Sequence, residues 1–136
     1  MTEYLKFQAT MTKAYEGYTE KMDLKDFYAS LNPWTRSVVA FGNLNYQVEN
    51  GGFSQWHDNG YYVGLDAILH GLIRLDTPEA GEMLNLIQSA RDRLHYLDKL
   101  DEDEDDNWAG SKLDTLDSAF YALAPKVLQQ IEDSLP

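Results

Sequence analysis

The stretch ENGGFSQWHDNG, residues 49–60, gathers side chains that do chemistry: a carboxylate at Glu49, an imidazole at His57 and a second carboxylate at Asp58. A base beside an orienting carboxylate is the minimum for proton transfer. No nucleophile or oxyanion donor is spaced to complete that set. The chain has no cysteine, which excludes a thiol nucleophile, a thiolate metal site and a disulfide framework. His57, His70 and His95 never pair at i, i+4, so the helical zinc motif is absent. The adjacent glycines lack the spacing and the lysine of a phosphate-binding loop. A simpler reading covers Asn50, Gly51, Gly52 and Phe53 together. A helix ends at glycine because a left-handed backbone resists side chains, the second glycine admits another backbone, and Phe53 turns back into the core. The stretch is read as an elbow, with no catalytic residue, metal or cofactor assigned. An enzyme or metal-binding protein using Glu49, His57 and Asp58 remains the alternative.

An elbow needs helices on both sides, and helical punctuation recurs along the chain. Thr2 can cap a first helix whose inward candidates are Leu5, Met11, Ala14 and Tyr18. Asp23 can cap a short one ending near Leu31. Asn32-Pro33-Trp34 places a cap before a proline at the first helical position. The helix it opens runs to about Asn50 with Trp34, Val38, Phe41 and Val48 on one face. Residues 37–48 carry no charge, which marks this as the central, most enclosed helix. Asn43, Asn45 and Gln47 within it require internal hydrogen-bond partners. Phe53–Asp58 adds one or two turns, stopped by Asn59-Gly60. Leu65, Ile68, Leu69 and Leu72 are spaced as a helix, and Asp76–Glu79 repeats the cap-then-proline start. Ala80, Met83, Leu84, Ile87, Leu94 and Leu97 mark a long amphipathic helix. Ser111 can cap another, with Leu113, Leu116 and Phe120. Pro125 interrupts or restarts the last piece, where Val127, Leu128 and Ile131 face inward. The expectation is an all-α fold, one domain over residues 1–136, of about six to eight helices around the uncharged one.

Charge narrows the partners. The net charge is −12, and it is unevenly placed: 8 acids and 5 bases in residues 1–68, 15 acids and 6 bases in residues 69–136. Such a field repels nucleic acid and anionic lipid and attracts basic surfaces. Direct DNA binding is therefore not expected. The opening residues lack the pattern of a secretory signal, and the 12-residue uncharged span is too short to cross a bilayer. A cytoplasmic, soluble protein is expected.

The elbow also carries a resemblance. ENGGF followed by Gln55, between two helices of a small acidic chain, resembles the bacterial DNA mimic protein nineteen family. The match covers roughly Asn43 to Gly60, with a compatible helical pattern on either side. The resemblance implies an all-helical protein that dimerises. It implies acidic side chains that imitate DNA phosphates and occupy the DNA-binding surface of a basic protein. Glu49, Asn50, Gly51, Gly52, Phe53 and Gln55 carry over as fold markers. The imitating acids lie outside the motif and do not carry over position by position.

They are sought instead in DKLDEDEDDNW, which holds Asp98, Asp101, Glu102, Asp103, Glu104, Asp105 and Asp106 within nine residues. Duplex DNA presents about one charge per 1.7 Å of axis. The run spans roughly 30 Å if extended at about 3.3 Å per residue, or one acid per ~4 Å. As helix it spans about 13.5 Å, or one per ~2 Å. Like charges at i, i+4 oppose the compact form by a few tenths of a kcal/mol each. An extended run therefore needs neighbours such as Glu79, Glu82, Asp92, Asp114 or Asp117. Two other readings compete: a solvated connection between helices, and a calcium loop. Asp101, Asp103 and Asp105 suit the latter, but Asp106 stands where glycine turns the loop and Lys112 where the bidentate glutamate belongs. Trp108 can anchor a partner or pack on the next helix. The reading is a non-enzymatic DNA mimic and homodimer that blocks a basic DNA-binding protein. Its contacts are assigned to Asp98, Asp101, Glu102, Asp103, Glu104, Asp105, Asp106, Asp114 and Asp117. A plain interaction module with incidental acidity is a further alternative.

Overall fold

A computed structural model describes residues 4–98 and 107–136, and their side chains except at 97–98 and 107–112. Among the described residues there are six α-helices and no strand: α1 Leu5–Tyr15, α2 Leu24–Ser30, α3 Pro33–Asp58, α4 Leu65–Leu75, α5 Pro78–Asp98 and α6 Asn107–Ser134. A short 3-10 turn, Tyr61–Gly64, leads into α4. The all-α expectation holds, and the helix count falls inside the expected range.

The uncharged helix is the hub. α3 packs against every other helix, while α5 and α6 form the most extensive single pairing. Val38, Val39, Ala40, Phe41, Leu44 and Val48 are all buried, as an apolar helix on several faces must be. Its start is as the sequence implies: Asn32 Oδ1 accepts from Thr35 N at 2.9 Å, with proline in the first turn. Of its three internal amides, Asn43 donates to the Tyr15 and Tyr28 hydroxyls at 2.6 and 2.7 Å. Gln47 Oε1 accepts from Gln55 and Asn59, both at 2.9 Å. Asn45 donates weakly to Glu49 at 3.5 Å, and its buried oxygen has no partner. Burial pushes both phenols above their ordinary range, while the Asn43 hydrogen bond works the other way.

Five expectations are corrected. Leu5 is exposed; α1 lies on the outside of the bundle and turns Phe7 inward in its place, beside the expected Met11 and Ala14. Tyr18, also expected inward, is exposed beyond the end of α1, its ring edge-on to Tyr15 and Phe27. Ser111 does not start a helix, because α6 begins at Asn107. Pro125 does not interrupt α6, which continues through it to Ser134. Proline in a helix interior costs about 3 kcal/mol. Leu123, Ala124, Val127, Leu128 and Ile131 are buried around it, and each large apolar side chain contributes roughly 1.5–3 kcal/mol. Packing outweighs the local preference. Thr2 lies outside the described residues. Asp23 stands at the start of α2 without a side-chain cap. The Asp76–Glu79 start is capped by Thr77, whose Oγ1 accepts from Ala80 N at 3.0 Å.

Candidate functional site

Gly51 and Gly52 break α3 where the sequence places the elbow. Gly51 has φ −162° and ψ 16°, Gly52 φ 79° and ψ −177°. The positive φ therefore belongs to the second glycine, in an extended region that is essentially glycine's own. After it, Phe53 begins a new helical arm with its N–H lacking an intrahelical acceptor, as at any helix start.

That N–H is taken by a residue far along the chain. Asp117 on α6 accepts it through Oδ1 at 2.9 Å, a charge-assisted bond at a positive helix end. Beside it the Phe120 ring packs edge-on to Phe53 with centroids 5.5 Å apart. One turn further, the Tyr121 hydroxyl donates to the Val48 carbonyl at 2.8 Å. α6 thus clamps both arms of the elbow. Gln55 and Asn59 reach back across the bend to Gln47. Gly52, Phe53 and Gln55 act in the bend itself, whereas Glu49, Asn50 and Gly51 are exposed on its outer side.

A second carboxylate does the same elsewhere. Glu132, also on α6, accepts the Lys6 and Phe7 N–H groups at 2.7 Å each, holding the first turn of α1. Neither role is visible in the local sequence. The only signal is a carboxylate on a helix face that also carries buried apolar residues.

Asp117 is shifted upward, chiefly because burial disfavours its charge; the Phe53 N–H pulls it down and the Asp114 carboxylate pushes it up. The folded state therefore holds this proton more readily than the unfolded chain. Its contribution to stability is greatest below the ordinary aspartate value and is lost as pH rises through the raised one. Asp117→Asn keeps the acceptor oxygen without the charge. Its stability relative to the parent should be near parity at pH 4 and become more favourable toward pH 7, measured by urea unfolding at each pH. Asp117→Ala strands the Phe53 N–H and should cost about 1–3 kcal/mol at either pH.

The proton-transfer alternative finds little support in the geometry. His57 Nδ1 lies 3.3 Å from Asp58 Oδ1, and its ring sits edge-on to Tyr62. Glu49's one hydrogen bond among the described residues comes from Asn45. Among the described residues no three His, Cys, Asp or Glu gather as a metal site.

The acidic positions divide. Asp114, Glu82 and Asp92 are exposed on the α5–α6 pair, with Asp92 3.3 Å from Arg91. Glu79 accepts from Gln130 at 3.0 Å. Asp117 is half-buried at the elbow. Asp98 ends α5, its side chain outside the described set. Asp101, Glu102, Asp103, Glu104, Asp105 and Asp106 lie outside the described residues. So do the calcium-loop reading and the side chain of Trp108. No described helix is long and apolar enough to cross a membrane.

The family model for DMP19-like protein matches residues 29–133, from the end of α2 through nearly all of α6. The match includes the elbow and both carboxylates that α6 contributes. No curated protein and no solved structure matches the chain.

Proposed function

The chain belongs to the DMP19-like protein family, and from that premise we propose that it acts as a DNA mimic, docking on the basic DNA-binding surface of a protein partner and excluding nucleic acid. The observation that carries the reading is the charge distribution on a family scaffold. Fifteen of the 23 acids fall in residues 69–136, seven of them within the nine residues 98–106 that join α5 to α6. Asp114, exposed on α6 near that junction, adds to the same end of the pair. Asp117 contributes its field from a fixed position, since one of its oxygens is engaged at Phe53. Glu82, Asp92 and Asp114, exposed on the packed α5–α6 pair, support the reading, because charges carried on helices lose little freedom on binding. On this reading the protein is a non-enzymatic, cytoplasmic bacterial inhibitor, working as a homodimer.

Charge of this kind accelerates encounter and selects the partner more than it adds contact energy. The test is capture of partners from a bacterial lysate on the immobilised chain, with and without competing duplex DNA, followed by titration of a captured basic protein. Affinity should fall by roughly tenfold or more between about 50 and 500 mM salt, as the screening length shortens below 10 Å. DNA should displace the partner. A salt-independent affinity, or partners indifferent to DNA, would overturn the proposal.

A further inference from the structure

In a chain with 23 acids and 11 bases, one concave patch is lined by two arginines and a histidine. It lies between the start of α3 and the outer side of α4, with a volume of about 150 Å³, and its walls include Trp34, Arg36, Ser37, His70 and Arg74. No carboxylate is among its lining residues. His70 and Arg74 stand one helical turn apart on α4, so their side chains share a face.

Each arginine is placed by something other than an acid. The Arg74 guanidinium lies over the Trp34 ring, its central carbon 4.6 Å from the ring centroid. The ring face holds the group through its charge, and no hydrogen bond among the described residues uses its N–H donors. Among the described residues Arg74 has no carboxylate partner. Arg36 is held by the end of α2: its Nε donates to the Tyr28 carbonyl at 2.7 Å, and one terminal nitrogen to the Leu31 carbonyl at 2.9 Å. Its other terminal nitrogen is left over, and its charge is not neutralised by these carbonyls. Ser37 Oγ donates to the Ala67 carbonyl at 2.7 Å, joining the two walls. The walls are therefore set before any ligand arrives.

We infer that this pocket binds a small oxyanion, a phosphate group being the best fit. A planar guanidinium with two free edge donors matches phosphate bidentately. The volume is below the roughly 300–1,000 Å³ of pockets that enclose drug-sized molecules, so it takes the anionic group and not a whole nucleotide. The site is distinct from the acidic end of α5 and α6, and it does not depend on the mimic reading.

The experiment titrates the ¹⁵N-labelled full chain with orthophosphate at constant ionic strength, using chloride as the balancing salt. O-phosphoserine is run in parallel, to separate free phosphate from phosphate carried as a monoester. The indole N–H of Trp34 and the amides of residues 67–74 should shift saturably over the millimolar range with one ligand or both. Arg74→Gln should weaken that binding roughly tenfold or more, as expected for loss of a charge-assisted hydrogen bond. His70→Gln, at an exposed position, should weaken it less and leave the remaining spectrum in place. Shifts that fail to saturate with both ligands, or equal binding by the parent and both variants, would overturn the inference.

Discussion

Replacing Gly52 by alanine should destabilise the fold by about 3–5 kcal/mol, the largest stability effect expected at the elbow. Two costs add. A residue with a side chain held at φ 79° and ψ −177° pays about 1–3 kcal/mol for a backbone region that is essentially glycine's own. A Cβ there also runs into the Asp117 carboxylate, the nearest group to it. The carboxylate must move, and the Phe53 N–H then loses its acceptor, worth roughly 1.5–3 kcal/mol for a bond to a charged group. Against a total of about 5–15 kcal/mol for a typical domain, such a loss is severe. Gly60 supplies the control. Its φ is 84°, but a Cβ there meets nothing within 4 Å, so Gly60→Ala should cost only the conformational share, about 1–2 kcal/mol. Urea midpoints for the two variants separate the contributions. Equal losses at both glycines would mean that the Asp117 clamp contributes nothing.

Neutralising the acidic run should have the largest effect on binding. With Asp101, Asp103, Asp105 and Asp106 changed together to Asn and Ser, affinity for a captured basic partner should drop roughly tenfold to a hundredfold at low salt, mostly through slower association. Helicity and melting temperature should hold or rise, because neutralisation relieves the self-repulsion of a dense run of carboxylates. Surface plasmon resonance gives the rates and circular dichroism the fold. Binding unchanged by the quadruple substitution would move the docking surface away from this run, while a fall in melting temperature would assign the run a structural role. The Asp117→Asn variant offers a comparison, since it removes a charge that is already engaged at the elbow.

Much of the architecture is local and was therefore readable. Asn32 before Pro33, Thr77 before Pro78 and the apolar spacing of α4 and α5 each act within one or two turns, where backbone preference and burial periodicity agree. Residues 37–48 carry no charge because α3 is enclosed on several sides, and that too is written in composition. The Gly51-Gly52 break was legible for the same reason: only glycine tolerates the backbone that the bend requires. The family signature spans this break, so the signature and the bend share the same residues.

What the sequence could not decide lies in contacts made across the chain. Asp117 reads as one more exposed acid until α6 is laid against the elbow, 64 residues from Phe53. Glu132 caps a helix start 125 residues before it. Pro125 reads as a stop until the buried residues around it are seen to hold α6 straight through. Arg36, His70 and Arg74 look like scattered bases until α4 packs on the start of α3. Composition and periodicity record what a residue does with its near neighbours. Which carboxylates serve the backbone, and which cations share a wall, depends on pairings between distant segments that only the packed bundle brings together.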